Sequence, residues 1–149
     1  MLVNEVMTPQ VELVGPNDSI QQAAKAMARI DAGVLPVAEG DRLVGMITDR
    51  DIAIRAVAEG RDPARTIVKD VMSPEVRYCF DDDDVADVAD NMAEQQVRRL
   101  PVVNRDKRLV GIISLADIAR EREPRAAGEA LQGIARPGGL HNSTGGRVT

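Results

Sequence analysis

A chain of 149 residues falls in the ~100 to 200 residue range of one domain with one hydrophobic core, and predicts no second, catalytic domain. It is 44% hydrophobic and 29% charged, with one Tyr, one Phe and no Trp, so Val, Ile, Leu, Ala and Met must build the core, and the aromatic platforms that stack single-stranded bases are missing. The net charge of −5 and the scatter of the basic residues along the chain disfavour nucleic acid, whose binding rewards clustered cations.

In chain order, residues 11–14 read as a short strand after Pro9, and Asp18 with Gln21 as a capping box opening a helix. Ile20, Ala23, Ala24, Met27 and Ile30 recur at helical spacing, with Gly33 as the stop. Residues 34–38 and 43–48 are aliphatic and β-branched runs on either side of the turn 39–42, the signature of a hairpin. Thr48 with Asp51 makes a second capping box, predicting a helix over 49–59 that ends at Gly60. Asp62-Pro63 starts a short helical connector. Strand, helix, strand, strand and helix then follow again over 76–79, 85–96, 100–104, 109–114 and 115–121. Residues 125–136 could form a short helix, and 137–149, with four Gly and no apolar period, should be disordered.

The second series is a copy of the first. Val6-Met7-Thr8-Pro9 returns as Val71-Met72-Ser73-Pro74, a shift of 65 that also carries Val11 onto Val76, Asp18 onto Asp83, Met27-Ala28 onto Met92-Ala93 and Leu35-Pro36-Val37 onto Leu100-Pro101-Val102. After one inserted residue, Leu43-Val44-Gly45 maps to Leu109-Val110-Gly111 and Asp51-Ile52-Ala53 to Asp117-Ile118-Ala119. A self-similar period of this length marks a duplicated structural unit. One copy alone would leave a face of its small sheet or helices wet, so the pair is the expected folding unit.

The chemistry points to two strand-to-helix junctions, Gly45-Met46-Ile47-Thr48-Asp49-Arg50-Asp51 and Gly111-Ile112-Ile113-Ser114-Leu115-Ala116-Asp117. A hydroxyl at a strand end beside a helix start favours phosphate, because the backbone N–H groups there are unpaired and the helix dipole is positive. The carboxylate three residues on is a bidentate acceptor suited to two vicinal hydroxyls. The same spacing is also a plain capping box, which needs no ligand.

The order of Met-Thr/Ser-Pro, amphipathic helix, Leu-Pro-Val strand and Leu-Val-Gly strand ending in Thr/Ser-x-x-Asp-Ile resembles the CBS (cystathionine β-synthase) domain, twice, over about residues 3–121. Short stand-alone bacterial pairs look most alike. The resemblance implies an α/β (α+β) fold of two pseudo-twofold-related β-α-β-β-α repeats packed as one module: repeat one over 3–60, a connector over 61–69, repeat two over 70–122 and a flexible tail with a possible short helix over 123–149. It implies that Asp51 and Asp117 hold ribose hydroxyls, that Thr48 and Ser114 sit near phosphates, and that Val34, Leu35 and Pro36 in one copy and Arg99, Leu100 and Pro101 in the other flank adenine. Arg50 adds a cation that Ala116 does not match, and Arg98 and Arg99 replace Gly33 and Val34, so two unequal sites are expected. The resemblance implies an adenosine-containing ligand, one of AMP, ADP, ATP, NAD or S-adenosylmethionine, without distinguishing among them.

Cys79, the single cysteine, excludes an intrachain disulfide and a zinc cluster and reads as a small core residue. The acidic run Asp81 to Asp84 reads as charge ahead of a helix start more than as a metal site. His141 lies in the tail without a partner, and Met7, Met27, Met72 and Met92 read as packing. No basic-then-apolar leader covers Met1 to Pro9 and no run approaches the roughly 18 apolar residues of a membrane span, so the cytoplasm is expected. There is no nucleophile with a base and no Gly-rich phosphate loop, so no enzyme is predicted. Modules of this kind occur inserted in inosine monophosphate dehydrogenase, but the barrel and catalytic loop of that enzyme have no counterpart here. The expected function is a regulatory nucleotide-binding module acting on an unidentified protein, with a ligand-free interaction module as the alternative. Ile52, Ile54, Val57 and Ile118 are expected on exposed helix faces that pair two copies into a homodimer.

Overall fold

In the computed structural model, which describes residues 1–9, 11–74, 76–121 and 124–136, the chain divides into two compact units, neither contiguous in sequence. One comprises Val11–Arg77 with Lys107–Leu109. The other joins the opening segment of the chain to Tyr78–Asp106 and the described chain from Val110 onward.

The first unit contains α1 (Ile20–Ile30), β1 (Val34–Glu39), β2 (Arg42–Thr48) and α2 (Asp49–Ile52). The two strands pair antiparallel, Val34 opposite Thr48 and Glu39 opposite Arg42, around a two-residue turn that Gly40 permits with φ +62°. Leu35, Val37 and Ile47 meet Ile20, Ala23, Ala26 and Met27 of α1 in the core, together with Ala56, Val68 and Val71. The second unit repeats this with β3 (Cys79–Phe80), α3 (Val85–Gln95), β4 (Arg99–Val103), β5 (Leu109–Ser114) and α4 (Leu115–Arg120), and adds α5 (Pro124–Ile134). Its three strands run in the order β3-β4-β5, over a core of Leu100, Val102, Ile113, Ile118, Val85, Val88 and Met92.

Several local expectations shift. Residues 11–14 form no strand, only a parallel bridge from Val14 to Val37, and in the second copy only Cys79–Phe80 is a strand, pairing with Val102 and Val103. Helix α1 is capped by Ser19 with Gln22, not Asp18 with Gln21: Ser19 Oγ accepts the Gln22 N–H (3.1 Å) and Gln22 Oε1 accepts the Ser19 N–H (2.8 Å). Asp18 instead closes the turn before it, accepting the Gly15 N–H at 2.8 Å, and Asp83 does the same for Phe80 at 2.9 Å. On α1 the buried stripe includes Ala26 and leaves Ala24 and Ile30 exposed. The left-handed stop is Asp31 (φ 54°), not Gly33, and its counterpart is Gln96 (φ 55°). The predicted helix 49–59 is one α turn followed by a π-wound stretch, Ala53–Val57, ending near Gly60 at φ +71°. Asp62-Pro63 starts a turn rather than a helix, with Asp62 Oδ1 accepting the Ala64 N–H at 2.9 Å. Ile118 is fully buried and Ile52 packs against a core, so only Ile54 and Val57 of the predicted apolar surface are exposed. Residues 137–149, including His141, lie outside the described residues.

Helix α5 docks on α3, where the buried Gln96 side chain caps it by donating to the carbonyls of Gly133 (3.0 Å), Ile134 (3.3 Å) and Arg136 (2.9 Å). Those bonds also hold Gln96 in a left-handed conformation uncommon for a residue with a Cβ.

The two Val-Met-Thr/Ser-Pro segments explain why the units are discontinuous. Leu2 bridges Asp84 and Thr8 bridges Ile112 in the second unit, whereas Ile67 bridges Ser19 and Ser73 bridges Met46 in the first. Each opening segment therefore packs on the repeat that does not directly follow it. Thr8 and Ile112 exchange both backbone hydrogen bonds (2.9 and 3.0 Å), as do Ser73 and Met46 (2.9 and 3.0 Å). These pairs cover the outer edges of β5 and β2, and the proline that follows, having no N–H, ends the pairing. The approach is close. A Cβ at Gly111 would lie 2.5 Å from Met7 Sδ and 2.9 Å from the Thr8 carbonyl oxygen, and one at Gly45 would lie 2.8 Å from Met72 Sδ and 2.9 Å from the Ser73 oxygen.

Gly111→Ala and Gly45→Ala should each destabilise the protein by about 1 to 3 kcal/mol in urea unfolding, the usual cost of overpacking. Gly128→Ala, in open space on α5, should instead add up to about 1 kcal/mol. Equal effects at Gly111 and Gly128 would contradict the tight docking.

Candidate functional site

The sequence-predicted junctions form alike in the two units. Thr48 ends β2 and caps α2, and Ser114 ends β5 and caps α4. Thr48 Oγ1 accepts the Asp51 N–H (3.0 Å) while Asp51 Oδ2 accepts the Thr48 N–H (3.0 Å). Ser114 and Asp117 repeat this at 3.1 and 3.0 Å. Because each hydroxyl oxygen accepts from the backbone, its own proton stays available for an outside acceptor such as a phosphate oxygen.

The hairpin brings the adenine-flanking candidates to the same place. Val34, half-buried, stands opposite Thr48, and the Asp49 N–H donates to the Gly33 carbonyl at 2.9 Å. In the other unit the Leu115 N–H donates to the Arg98 carbonyl at 2.9 Å, which sets Arg99 at the start of β4 beside the Ser114 junction. Leu35 and Leu100 are core side chains and Pro36 and Pro101 are buried, so Leu35 and Leu100 would meet a ligand through their backbone. Arg50 and Arg99 are exposed. At Gly33 a Cβ would sit 2.7 Å from Asp49 Oδ2, so the first unit folds an acid over a glycine where the second has Arg98 and Leu115.

The two carboxylates differ in a way the sequence reading missed. Asp117, buried, also takes Arg120 Nη2 on its Oδ1. Arg120 stands three residues beyond Asp117, a spacing at which helical ion pairs form, and that spacing was visible in the sequence. The residue three beyond Asp51 is Ile54. Arg55 was also missed: from the π-wound stretch its Nη1 donates to the carbonyls of Val71 and Met72, each at 3.2 Å, bracing the segment that ends at Ser73.

The acidic run is occupied by local structure. Arg105 grips Asp82 through two hydrogen bonds (2.6 and 2.9 Å) and lies 4.2 Å over the Phe80 ring; the hydrogen bond from its guanidinium holds the Asp82 carboxyl below the usual carboxylate range. Asp84 caps α3, accepting the Ala86 N–H at 2.8 Å. Burial pushes the Cys79 thiol up to about 12, leaving it neutral and unreactive in the core. Among the described residues, no helix is long and apolar enough to cross a membrane.

The CBS domain family model matches residues 3–57 and 68–123. The CBS domain-containing protein YhcV of Bacillus subtilis is 43% identical over 134 residues, covering 89% of this chain and 94% of YhcV. Hypoxic response protein 1 of Mycobacterium tuberculosis is 36% identical over 134 residues, covering 89% of this chain and 93% of that protein. A crystal structure of Hypoxic Response Protein I with two coordinated zinc ions superposes with a TM-score of 0.72 at 37% identity, over 81% of this chain and 98% of that one. CBSX2 in complex with AMP superposes at 0.70 with 27% identity, over 80% and 94%. The CBS domain pair of MJ0100, in complex with 5-methylthioadenosine and S-adenosyl-L-methionine, superposes at 0.69 with 31% identity, over 81% and 98%. Similarity to inosine-5'-monophosphate dehydrogenase of Methanocaldococcus jannaschii spans only 24% of that enzyme, so it supports no dehydrogenase activity here. Two matched halves, the shared junctions and relatives covered almost end to end lead to one conclusion: the chain belongs to the CBS domain family, as a tandem pair of repeats.

Proposed function

We propose that this protein is a cytoplasmic regulatory module that binds an adenosine-containing nucleotide at its Thr/Ser-x-x-Asp junctions and transmits occupancy to another protein. The observation that carries this reading is the junction: a hydroxyl with its proton free, a carboxylate three residues on, and the start of β1 or β4 alongside. Such a constellation suits a phosphate, a vicinal diol and a flat base lying on backbone. Two structural neighbours with AMP or S-adenosyl-L-methionine bound point to the same ligand class. In this reading Asp51 and Asp117 take ribose hydroxyls, Thr48 and Ser114 approach phosphate with Arg50 nearby, and Val34, Leu35, Pro36, Arg99, Leu100 and Pro101 border the bases.

Asp51→Ala should weaken binding of AMP, ATP, NAD or S-adenosylmethionine by about 1.5 to 3 kcal/mol in calorimetry, the worth of charge-assisted hydrogen bonds. Losing the cap also costs stability, so Thr48→Ala is the control: it should cost about 0.5 to 2 kcal/mol of stability with a smaller loss of affinity. Absence of heat with all four nucleotides at millimolar concentration would leave the ligand-free interaction module in its place.

The module works as an isologous homodimer through the apolar surface at Ile54 and Val57, which are 52% and 67% exposed. Sedimentation should give twice the 16.1 kDa chain mass, falling to the single chain in Val57→Glu; a wild-type monomer in dilute solution contradicts it.

A further inference from the structure

We propose that Arg120 locks the nucleotide site of the second repeat, so that the Asp51 junction fills first and the Asp117 junction stays closed until Arg120 leaves; this rests on the ribose-binding reading of the two carboxylates above. The backbone geometry of the junctions is the same, with capping hydrogen bonds of 3.0 and 3.0 Å in one and 3.1 and 3.0 Å in the other. The difference lies in the side chains around the acid. Asp117 is only 7% exposed and both its oxygens are taken, Oδ2 by the Ser114 N–H and Oδ1 by Arg120. A ribose diol gains from a carboxylate that offers an open oxygen and an uncompensated charge, and here the guanidinium occupies the first and cancels the second.

At Asp51 the position three residues on is Ile54, which carries no donor, and among the described residues Asp51 Oδ1 has no hydrogen-bond or ion-pair partner. That carboxylate is ready for a diol without any rearrangement. The lock is also releasable. The Arg120 side chain is 70% exposed and lies in the last turn of α4, so it can swing into water without disturbing the core. Water can take up the released guanidinium, and the ligand's hydroxyls replace it as donors to the buried Asp117 carboxylate, so a bound ligand can outcompete the ion pair at higher concentration. Occupancy would then be graded, with one nucleotide per chain at low concentration and two at high.

The test is calorimetric titration of the full chain with AMP as the probe. Wild type should show one strong site per chain, weakened roughly 10- to 150-fold by Asp51→Ala. Arg120→Ala, and Arg120→Gln as the variant that keeps a hydrogen-bond donor without the charge, should each gain roughly tenfold in affinity at a second site, and that gain should vanish on adding Asp117→Ala. The lock is overturned, with the nucleotide reading intact, if AMP binds at Asp51 but both Arg120 variants leave the second site unchanged, or if the strong wild-type site survives Asp51→Ala and is lost in Asp117→Ala. No heat from AMP, ATP, NAD or S-adenosylmethionine with wild type or either Arg120 variant overturns the nucleotide reading and the lock together.

Discussion

The structure depends on the docking of a Met-Thr/Ser-Pro segment against a glycine. At Gly111 the Thr8 backbone, and at Gly45 the Ser73 backbone, come so near the strand that no side chain fits between them. The two hydrogen bonds at each contact satisfy the edges of β5 and β2, which would otherwise expose unpaired N–H and C=O groups. The methionine before each bridging residue covers the same glycine, and Val3, Val6, Val68 and Val71 carry the segments into the cores. Burying such aliphatic side chains is worth about 1.5 to 3 kcal/mol each, a large contribution for units this small. The Val-Met-Thr/Ser-Pro and Leu-Val-Gly motifs are thus two halves of one contact.

That contact fixes the position of the two candidate junctions. Gly45 lies three residues before Thr48 and Gly111 three before Ser114, so the strands held by the docked segments end at the capping residues. The capping box then sets the carboxylate at a defined place relative to the hydroxyl. A stability device and a proposed recognition device use the same four residues, so a cap alone says nothing of a ligand. What separates them is the state of the remaining carboxylate oxygen, open at Asp51 and held by Arg120 at Asp117.

Much of this was legible in the sequence, because duplication prints each element twice. The buried Met27 and Met92 of the first long helix in each copy, the Leu-Pro-Val strands, the hairpins and both Thr/Ser-x-x-Asp junctions stand where the pattern puts them, while the stripe of α1 differs at Ala24, Ala26 and Ile30. The exchange of the opening segments was not legible. A repeat at a shift of 65 reads the same whether Thr8 docks on its own copy or on the other. Cap positions slipped by one at Ser19 because Asp18 and Ser19 are both good capping residues, and only the backbone decides which of them bonds N3. Gly33 misled as a helix stop because Asp31 tolerates the left-handed conformation two residues earlier. Gln96 escaped notice because its partners are carbonyls of α5, some forty residues away. The Asp117–Arg120 pair was in the sequence as an i, i+3 spacing with Ile54 at the equivalent place in the first copy, but nothing in the spacing alone says whether Arg120 reaches the acid.

Residue-resolved hydrogen exchange measures the central contact directly. Thr8 and Ile112, and likewise Ser73 and Met46, each donate one backbone N–H to the other across the strand edge. If the docked segments hold the strand edges, these four amides open with the free energy of the buried strands, and the two members of each pair open together. Exchange of the Thr8 and Ser73 amides at the rate of an unstructured peptide, while β2 and β5 remain protected, would contradict the account.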